Sequence, residues 1–398
     1  MYNAQMTRIA FVHNNFPAGG AERITIDIAR YLKGFGDAYC VSAYVTRTDD
    51  NLLTEDILNV IQIRKIASQA VMSRRSADIE KLIIEDNIDI LVLVSKTIPG
   101  IEAIKQRTGC KVVLANHGEP FWQRHAITNR RQNSPLKKIL WRLYYKRLYG
   151  DGTKAMKMAV ERSRNEYDTS DAYTVLCNAY KTETASVFGI DKETSHIVAI
   201  ENPEKAVANI NLDKENMILF CGRFEGWSKR VDRLLRIWGK IQDKLPQWRL
   251  VLVGDGPAGK VWRKQVEDEK LERVSFEGMQ TDVSAYYRKA SIVCLTSQTE
   301  GWPLALTEAQ ANGCIAVAFG CTSGVSDILA PHGINGFIIP AFDEDLYAQT
   351  LLEITSMSKE QQDKIRLSAI KKRLGYTPEI IGEKWKQLFD NLIITKTL

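Results

Sequence analysis

The chain has 398 residues and a formal net charge of +6, with 44% hydrophobic and 26% charged residues. This length predicts two domains of about 200 residues each, because a single core rarely grows so large. The composition is typical of a soluble globular protein. Apolar runs stay well below the roughly 20 residues of a membrane span, and Ile9–Val12 lacks the length and cleavage pattern of a signal peptide.

The cysteines argue against a disulfide framework or a zinc site. There are seven, an odd number, and they form no C-x-x-C pair. Cys40, Cys221 and Cys294 fall inside predicted strands, where cysteine commonly acts as a small core residue. The pattern favours a reducing compartment, and we expect a cytoplasmic protein.

The first half of the chain alternates predicted strands and helices. This alternation is typical of a doubly wound parallel sheet. The predicted strands cover 7–13, 38–45, 60–64, 88–94, 111–115 and 171–177, and the predicted helices cover 21–33, 73–86, 98–107 and a stretch from about 179.

Two features of this half lie where strands end. Gly19 and Gly20 separate the first strand from the first helix, and glycine lets a backbone come close to a phosphate at a helix start. His117 follows a strand and precedes Gly118, so its titratable ring is placed at the sheet edge where ligands bind. A plain turn and a hydrogen-bonded loop histidine are the alternatives.

Residues 124–164 form a basic segment, which contains twelve Lys or Arg and only two acids. Trp, Tyr and Leu side chains are interleaved with these charges. Such a pattern predicts contact with anionic lipid headgroups, and so a peripheral position on the inner face of the cell membrane. A solvated face with core-facing aromatic residues is the alternative. We find no nucleic-acid-binding motif around the segment.

A second α/β series follows Glu201-Asn202-Pro203, which we interpret as the hinge. We therefore predict an N-terminal Rossmann-like domain over 1–202, a C-terminal one over 203–377, and a last helix over 378–398 that crosses back to the first domain. The predicted elements of the second series are strands over 216–222, 248–253, 274–276, 291–295 and 315–318, and helices from 230, from 257, over 282–289 and after Pro303.

The most informative stretch is Glu300–Gly313. It reads as a loop and a buried helix after the strand 291–295, with Pro303 at the first helical position and Gly313 ending the helix. The backbone N–H groups of Gly301, Trp302 and Leu304 would then meet an anion or sugar oxygens. Glu300 and Glu308 could hold two separated parts of one ligand. Alternatively, Glu300 favours the helix dipole and Glu308 pairs with a neighbouring cation.

Two cations follow the first strand of the second series. Gly222 and Arg223 end this strand, and Lys229 comes six residues later. Such cations could neutralise a diphosphate without a metal. The alternative is two solvated side chains.

Together these motifs resemble the family-four retaining glycosyltransferases with the B-type fold, in which two Rossmann-like domains face each other across a cleft. The resemblance covers almost the whole chain. Its most specific part is the E-x7-E block from Glu300 to Glu308, supported by Gly222-Arg223 with Lys229, by Gly254-Asp255-Gly256-Pro257, by Gly19-Gly20 and by His117. The hinge and Ser326-Asp327 depart slightly from the family pattern.

The resemblance implies a role for each site residue. Arg223 and Lys229 would stabilise the leaving diphosphate in place of a metal, and Glu300 with the backbone of Gly301, Trp302, Pro303 and Leu304 would hold the donor sugar. Glu308 would bind the ribose, His117 would contact the sugar near the reacting carbon, and Gly19 and Gly20 would approach the diphosphate. Retention would proceed by same-face attack without a protein nucleophile.

We therefore expect transfer of a sugar from a nucleotide-diphosphate sugar, with UDP favoured, to a saccharide or lipid-linked acceptor in cell-surface polysaccharide synthesis, such as that of lipopolysaccharide or capsule. No cofactor or metal is expected, since the only D-x-D, Asp343 to Asp345, begins a late helix where acids favour the dipole. A sugar-nucleotide epimerase of the same fold and a non-catalytic nucleotide-sugar-binding protein are the alternatives.

Overall fold

The computed structural model describes residues 6–17, 19–68, 72–128, 152–205 and 207–397. The chain divides into two structural units. The N-terminal unit comprises Met1–Pro203 and Pro378–Leu398, and the C-terminal unit comprises Glu204–Thr377. The boundaries predicted from the sequence lie after residues 202 and 377.

The N-terminal unit is built on a seven-stranded parallel sheet with the order β3-β2-β1-β4-β5-β6-β7. Its strands are rich in Val, Ile and Leu because both faces of a parallel sheet are covered. The strands are β1 (Thr7–Phe16), β2 (Tyr39–Thr48), β3 (Gln62–Lys65), β4 (Ile90–Val94), β5 (Lys111–Ala115), β6 (Ala172–Val175) and β7 (Ile197–Ala199).

The C-terminal unit is built on a six-stranded parallel sheet with the order β10-β9-β8-β11-β12-β13. Its strands are β8 (Glu215–Cys221), β9 (Arg249–Val253), β10 (Val274–Gly278), β11 (Ala290–Leu295), β12 (Ile315–Phe319) and β13 (Phe337–Ile339). The predicted fold class, two Rossmann-like doubly wound parallel-sheet domains, is confirmed by these two sheets.

Helices connect the strands in both units. Those of the N-terminal unit are α1 (Gly20–Lys33), α2 (Glu55–Leu58), α3 (Met72–Glu85), α4 (Ile101–Thr108), α5 (Gln123–Thr128), α6 (Thr153–Asp168), α7 (Asn178–Phe188) and the last helix, α15 (Pro378–Thr397). Those of the C-terminal unit are α8 (Val231–Ile241), α9 (Gly259–Asp268), α10 (Ser284–Lys289), α11 (Leu304–Ala311), α12 (Ser323–Leu329), α13 (Glu344–Ser356) and α14 (Lys359–Arg373).

Strand order places a reversal in each sheet, between β1 and β4 and between β8 and β11. In doubly wound sheets, ligands bind at the carboxyl ends of the strands beside such a reversal. The loops after these four strands are therefore the positions at which a functional site is expected.

The central part of the basic segment, residues 129–151, lies outside the described residues, and so do the aromatic side chains on which the membrane prediction rests. Among the helices that the structure does describe, none combines the length and the apolar character that crossing a bilayer requires.

Helix α15 completes the core of the N-terminal unit. Trp385 and Phe389 each place their rings 6.4 Å from the ring of Phe11 on β1. The Tyr31 hydroxyl on α1 donates to Glu383 at 2.8 Å. At Gly382, an added Cβ would lie 2.3 Å from Cγ of Tyr31, so the close approach of the two helices depends on the missing side chain.

We predict that Gly382→Ala destabilises the N-terminal unit. Overpacking costs typically about 1–3 kcal/mol, and the better helix propensity of alanine recovers at most about 1 kcal/mol of this. Urea unfolding should therefore shift to lower denaturant. Gly375→Ala is the control, since nothing lies within 4 Å of its Cβ position. An equal stability of both variants and wild type would refute the packing argument.

Candidate active site

The strongest contact between predicted site residues joins Lys229 and Glu300. The Lys229 ammonium donates to Oε1 of Glu300 at 2.7 Å. Lys229 follows β8 and Glu300 follows β11, the two strands that flank the reversal of the C-terminal sheet. The Glu300 side chain is only 10% exposed, so the pair is shielded from much of the solvent screening that weakens surface ion pairs.

Hydrogen bonds hold the two loops of this pair against each other. The Gln298 N–H donates to the Ser228 carbonyl at 2.6 Å, and the Thr296 hydroxyl donates to the Arg230 carbonyl at 3.0 Å. The buried guanidinium of Arg233 also binds this loop, through the Gln298 side-chain oxygen at 2.6 Å. The position of the Lys229–Glu300 pair is therefore fixed by the backbone around it.

A second backbone contact positions Gly222 and Arg223. The Gly222 N–H donates to the Val253 carbonyl at 3.0 Å. Gly254 has a φ of 134°, and a Cβ there would lie 2.0 Å from the Gly222 carbonyl oxygen. The loop with the predicted G-D-G-P motif thus packs backbone to backbone against the loop that carries Arg223.

The Arg223 side chain differs from that of Lys229. It is 81% exposed, and an oxygen of Glu225 lies 3.8 Å from its guanidinium. The structure therefore brings Lys229 to Glu300 and leaves Arg223 directed largely into solvent. An exposed guanidinium next to a sheet edge is accessible to an anion, and its five N–H donors suit a phosphate.

Helix α11 differs from the sequence prediction at its start. Pro303 is the N-cap residue, with ψ of 104°, and Leu304 is the first helical residue, whereas the sequence predicts Pro303 as the first. Extended ψ at Pro303 is compatible with its fixed φ, so either position suits proline. At the other end, Gly313 has a φ of 68° and follows the C-cap residue Asn312, as predicted.

The start of α11 presents backbone donors without a side-chain cap. Pro303 makes no side-chain hydrogen bond to the first turn, which leaves the N–H groups of Leu304 and Ala305 outside the helical pattern. Gly301 lies in the preceding loop. The Trp302 side chain is buried, with its ring centroid 5.1 Å from that of Tyr376, so Trp302 anchors the loop through its ring.

Glu308 lies half-buried in the middle of α11, and the Tyr287 hydroxyl donates to its Oε2 at 2.8 Å. Burial raises the pKa of Tyr287 well above its usual value, and the nearby Glu308 carboxylate raises it further. Tyr287 therefore stays protonated and remains a donor, which orients the Glu308 carboxylate.

Sequence reasoning missed three positioning side chains. Ser297 donates to the Glu300 oxygen that also accepts from Lys229, at 2.5 Å. Tyr287 orients Glu308, and Arg233 binds the loop after β11. Ser297 stands three residues before Glu300, which is a usable local signal, whereas Tyr287 and Arg233 reach their partners only through the fold.

The remaining predicted residues lie in the N-terminal unit. Gly19 is the N-cap of α1, with a φ of 132°, and both Gly19 and Gly20 are exposed after β1. The Glu22 carboxylate folds back over Gly19, 2.2 Å from where a Cβ would stand. The backbone conformation therefore favours glycine at position 19, and a larger residue there would also displace the flexible Glu22 side chain.

His117 follows β5 in the same unit. Burial lowers the pKa of its imidazole to about 4, although a hydrogen bond with Asn202 favours the charged form. His13 and Glu22 are close enough to influence it electrostatically. The structure thus brings His117 and the start of α1 together at one sheet edge. Its Nδ1 is buried without a hydrogen-bond partner among the described residues.

The D-x-D residues lie at the start of α13. Asp343 caps α13 by accepting from the Leu346 N–H at 2.9 Å, and Asp345 pairs with Lys240 at 2.6 Å. Among the described residues, no group of three or more His, Cys, Asp or Glu side chains is arranged to hold a metal ion.

Known glycosyltransferases are similar to this chain in sequence and in fold. The family model of glycosyl transferases group 1 matches residues 202–372. A protein named "Uncharacterized glycosyltransferase" from Haemophilus influenzae is 28% identical over 94% of this chain and 98% of its own length. A Campylobacter jejuni enzyme, named as an N-acetyl-D-galactosaminyltransferase acting on an undecaprenol-linked glycan, is 22% identical over 96% and 98%.

A solved structure extends the likeness to the whole fold. Anabaena Alr3699/HepE in complex with UDP and glucose superposes with a TM-score of 0.71, at 16% identity, over 97% of this chain and all of the other. The fold and these relatives define a glycosyltransferase with two Rossmann-like domains. The part of the chain that matches the group 1 family model contains Glu300–Glu308, the residues on which the resemblance to the family-four retaining glycosyltransferases mainly depends.

The pKa of His117 leads to a prediction about acid stability. Its folded pKa of about 4 lies below the usual value of 6.5, so its contribution is fully present above pH 6.5 and is lost as pH falls toward 4. In His117→Gln, the fall in melting temperature between pH 6.5 and pH 4.5 should be smaller than in wild type.

In His117→Gln, the fall in melting temperature at acidic pH should be reduced and not abolished. Burial also lowers the pKa of His196, which contributes in the same direction. His196→Gln is the matched comparison, and the double variant should show the smallest dependence. An unchanged pH dependence in His117→Gln would contradict the lowered pKa.

Proposed function

We propose that this glycosyltransferase is a retaining hexosyltransferase, which moves a sugar from a nucleotide-diphosphate sugar to a saccharide or lipid-linked acceptor in polysaccharide synthesis. The observation that carries the proposal is the Lys229–Glu300 pair at the carboxyl ends of β8 and β11. UDP is the favoured nucleotide, supported by its presence in the Anabaena structure. The lipid-linked acceptor is supported by the name of the Campylobacter relative.

The proposed reaction exchanges one bond for another at the anomeric carbon. The bond from this carbon to the phosphate oxygen breaks, and a bond to the acceptor hydroxyl oxygen forms on the same face. The hydroxyl proton goes to the departing phosphate oxygen, so the products are the glycoside and the nucleoside diphosphate. Charge develops on the leaving diphosphate, and fixed cations and N–H donors lower the barrier most when they are aimed at this charge.

Each site residue has a role in this scheme. Lys229 and Arg223 neutralise the diphosphate, and the backbone of Gly222 allows it to come close. Glu300 holds hydroxyls of the donor sugar and keeps the Lys229 ammonium in place before the donor arrives. The N–H groups at the start of α11, which have no side-chain cap, donate to sugar or phosphate oxygens.

The other half of the scheme concerns the nucleoside and the sugar. Glu308, oriented by Tyr287, accepts hydrogen bonds from the ribose hydroxyls. Gly19 and Gly20 give the diphosphate access to the start of α1. His117 contacts the sugar near the reacting carbon, and its lowered pKa keeps the imidazole neutral at pH 7, so that it adds no positive charge beside an electron-poor centre.

No metal is assigned to this chemistry. Lys229 and Arg223 supply two positive charges at the sheet edge, which is the role that a divalent cation plays for a diphosphate elsewhere. Metal-independent, retaining transfer is therefore part of the proposal and is tested with it.

We expect Lys229→Ala to lower sugar transfer by about two to three orders of magnitude, because one preorganised donor to a developing anion is worth roughly that much. Glu300→Gln should have a comparable effect. The assay is release of UDP or GDP from a panel of nucleotide sugars, after a thermal-shift screen has chosen the donor. Lys240→Ala is the control, since it removes a Lys–Asp pair of 2.6 Å on the surface of the same unit.

Full activity in Lys229→Ala and Glu300→Gln would overturn the site assignment. Two further measurements on the same reaction test retention and metal independence. The NMR coupling of the product's anomeric proton should match that of the donor, and EDTA should leave the rate unchanged. Turnover of a nucleotide sugar into its epimer without an acceptor would favour the alternative enzyme class.

The basic segment 124–164 supports a second part of the proposal, association with an anionic membrane surface. Its charges would attract phosphatidylglycerol vesicles, and salt should weaken this binding. We expect co-sedimentation with anionic but not with neutral vesicles, reduced when Lys137, Lys138 and Arg142 are changed to Gln. A control variant carries the same change at Lys260, Lys264 and Lys270, and binding that ignores lipid charge would exclude this role.

A further inference from the structure

A cavity of about 270 Å³ lies at the edge of the N-terminal sheet, lined by residues in the last half of β1 and by the loop after β4. This is the reversal of strand order in that sheet, the place where doubly wound folds bind ligands. Its ionisable lining residues are His13, Glu22, Arg75, Lys96 and Arg162, with one carboxylate among three permanent cations. None of the roles proposed above uses Arg75 or Lys96, and Arg162 enters them only as one charge of the basic segment 124–164.

Arg75 is the most unusual of these lining residues. Its side chain comes from α3 and only 3% of its surface is exposed. The guanidinium donates to three neutral oxygens, those of Thr46 at 2.7 Å, Ala67 at 3.4 Å and His13 at 3.5 Å. The last two distances are at the limit of a hydrogen bond. Among the described residues no carboxylate forms an ion pair with Arg75.

A buried cation without a counterion is costly, so folded proteins normally pair it. Arg366 in this same chain has such a partner. It is buried to a similar degree, and Asp363 lies 3.1 Å from its guanidinium. Burial lowers the pKa of Arg75, because removing the guanidinium from water disfavours its charged form. The position therefore lacks a negative group that a ligand can supply.

The surroundings of Arg75 suit a small oxyanion. Lys96 is exposed at the cavity, and Arg162, which is 47% exposed, lines the cavity while its guanidinium pairs with Glu166 at 3.2 Å. The Thr97 hydroxyl is buried without a hydrogen-bond partner among the described residues, so it has a proton to donate. Glu22, the one lining carboxylate, lies 3.3 Å from Nδ1 of His13, on the side toward α1.

We propose that this cavity binds an oxyanion group carried by the acceptor, with Arg75 as its buried counter-charge and Lys96, Thr97 and Arg162 as its other contacts. The acceptor would then be anionic, bearing a phosphate or a carboxylate next to the hydroxyl that is glycosylated. Identifying the ligand as an acceptor rests on the proposed transferase function, but the oxyanion site itself is defined by the cavity and its charges.

The test is binding of inorganic phosphate and of glucuronate to the full chain, by calorimetry, with UDP present so that the donor site is filled. Wild type should bind at least one of the two. Arg75→Gln should weaken that binding by about tenfold or more, which is what a charge-assisted hydrogen bond to a buried anion contributes. Lys96→Gln should weaken it by a smaller factor.

Three controls separate this site from others. Arg107→Gln removes a surface arginine that pairs with Glu80 and should bind phosphate as wild type does. Lys229→Ala should also keep the binding, because it alters the other unit. Arg75→Lys should recover part of the affinity. A UDP-induced rise in melting temperature shows whether each variant is folded. If Arg75→Gln does not fold, the test uses Lys96→Gln, because Lys96 is exposed.

The results also identify the source of the oxyanion. Tighter binding of phosphate than of glucuronate would indicate a phosphorylated acceptor. Tighter binding of glucuronate would indicate an acceptor with an acidic sugar. The proposal is overturned if wild type binds neither, if Arg75→Gln and Lys96→Gln bind as wild type does, or if Lys229→Ala loses the binding. Failure of sugar transfer with intact phosphate binding would count against the proposed function and leave the oxyanion site standing.

Discussion

Two loops that are far apart in sequence meet because β8 and β11 are neighbours in a parallel sheet. The Gln298–Ser228 and Thr296–Arg230 hydrogen bonds join these loops, and the Lys229–Glu300 pair lies between them. Parallel strands put all their carboxyl ends on one edge, so residues after different strands converge there without any local sequence relation. The chemistry that we assign to the C-terminal unit depends on this adjacency more than on any single side chain.

Three cations of the molecule, Lys229, Arg223 and Arg75, lie in environments that stabilise their charge to different extents. Lys229 is partly buried and has Glu300 as its partner. Arg223 is exposed and needs none, since water solvates it. Arg75 is buried among neutral oxygens. These three environments have different costs in the ligand-free protein, and they indicate where a negative ligand gains most by binding.

The fold is predictable from the sequence because most of its strands are apolar runs that alternate with helices along the chain. Two of the four edge strands, β7 and β13, have three residues each, too short for a periodic signal, and the sequence predicts neither. Pro303 is predicted one position too far into its helix, because proline suits both positions and only ψ distinguishes them.

The candidate site is predictable only in its local parts. Glu300 and Glu308 stand eight residues apart, and Lys229 follows a strand, so each belongs to a recognisable motif. Tyr287 reaches Glu308 from α10, and Arg75 reaches the edge of the N-terminal sheet from α3. Nothing in the sequence around either residue indicates a partner 21 or 62 positions away, because tertiary packing alone creates those contacts.

The contribution of α15 to the N-terminal core bears on how this protein is synthesised. Domains usually fold in order as they leave the ribosome. Here the apolar surface of α1 and β1 that receives Trp385 and Phe389 has to wait until the whole C-terminal unit has been translated. During that interval the first unit is an incomplete intermediate with an uncovered hydrophobic face, which makes it a natural client for a chaperone.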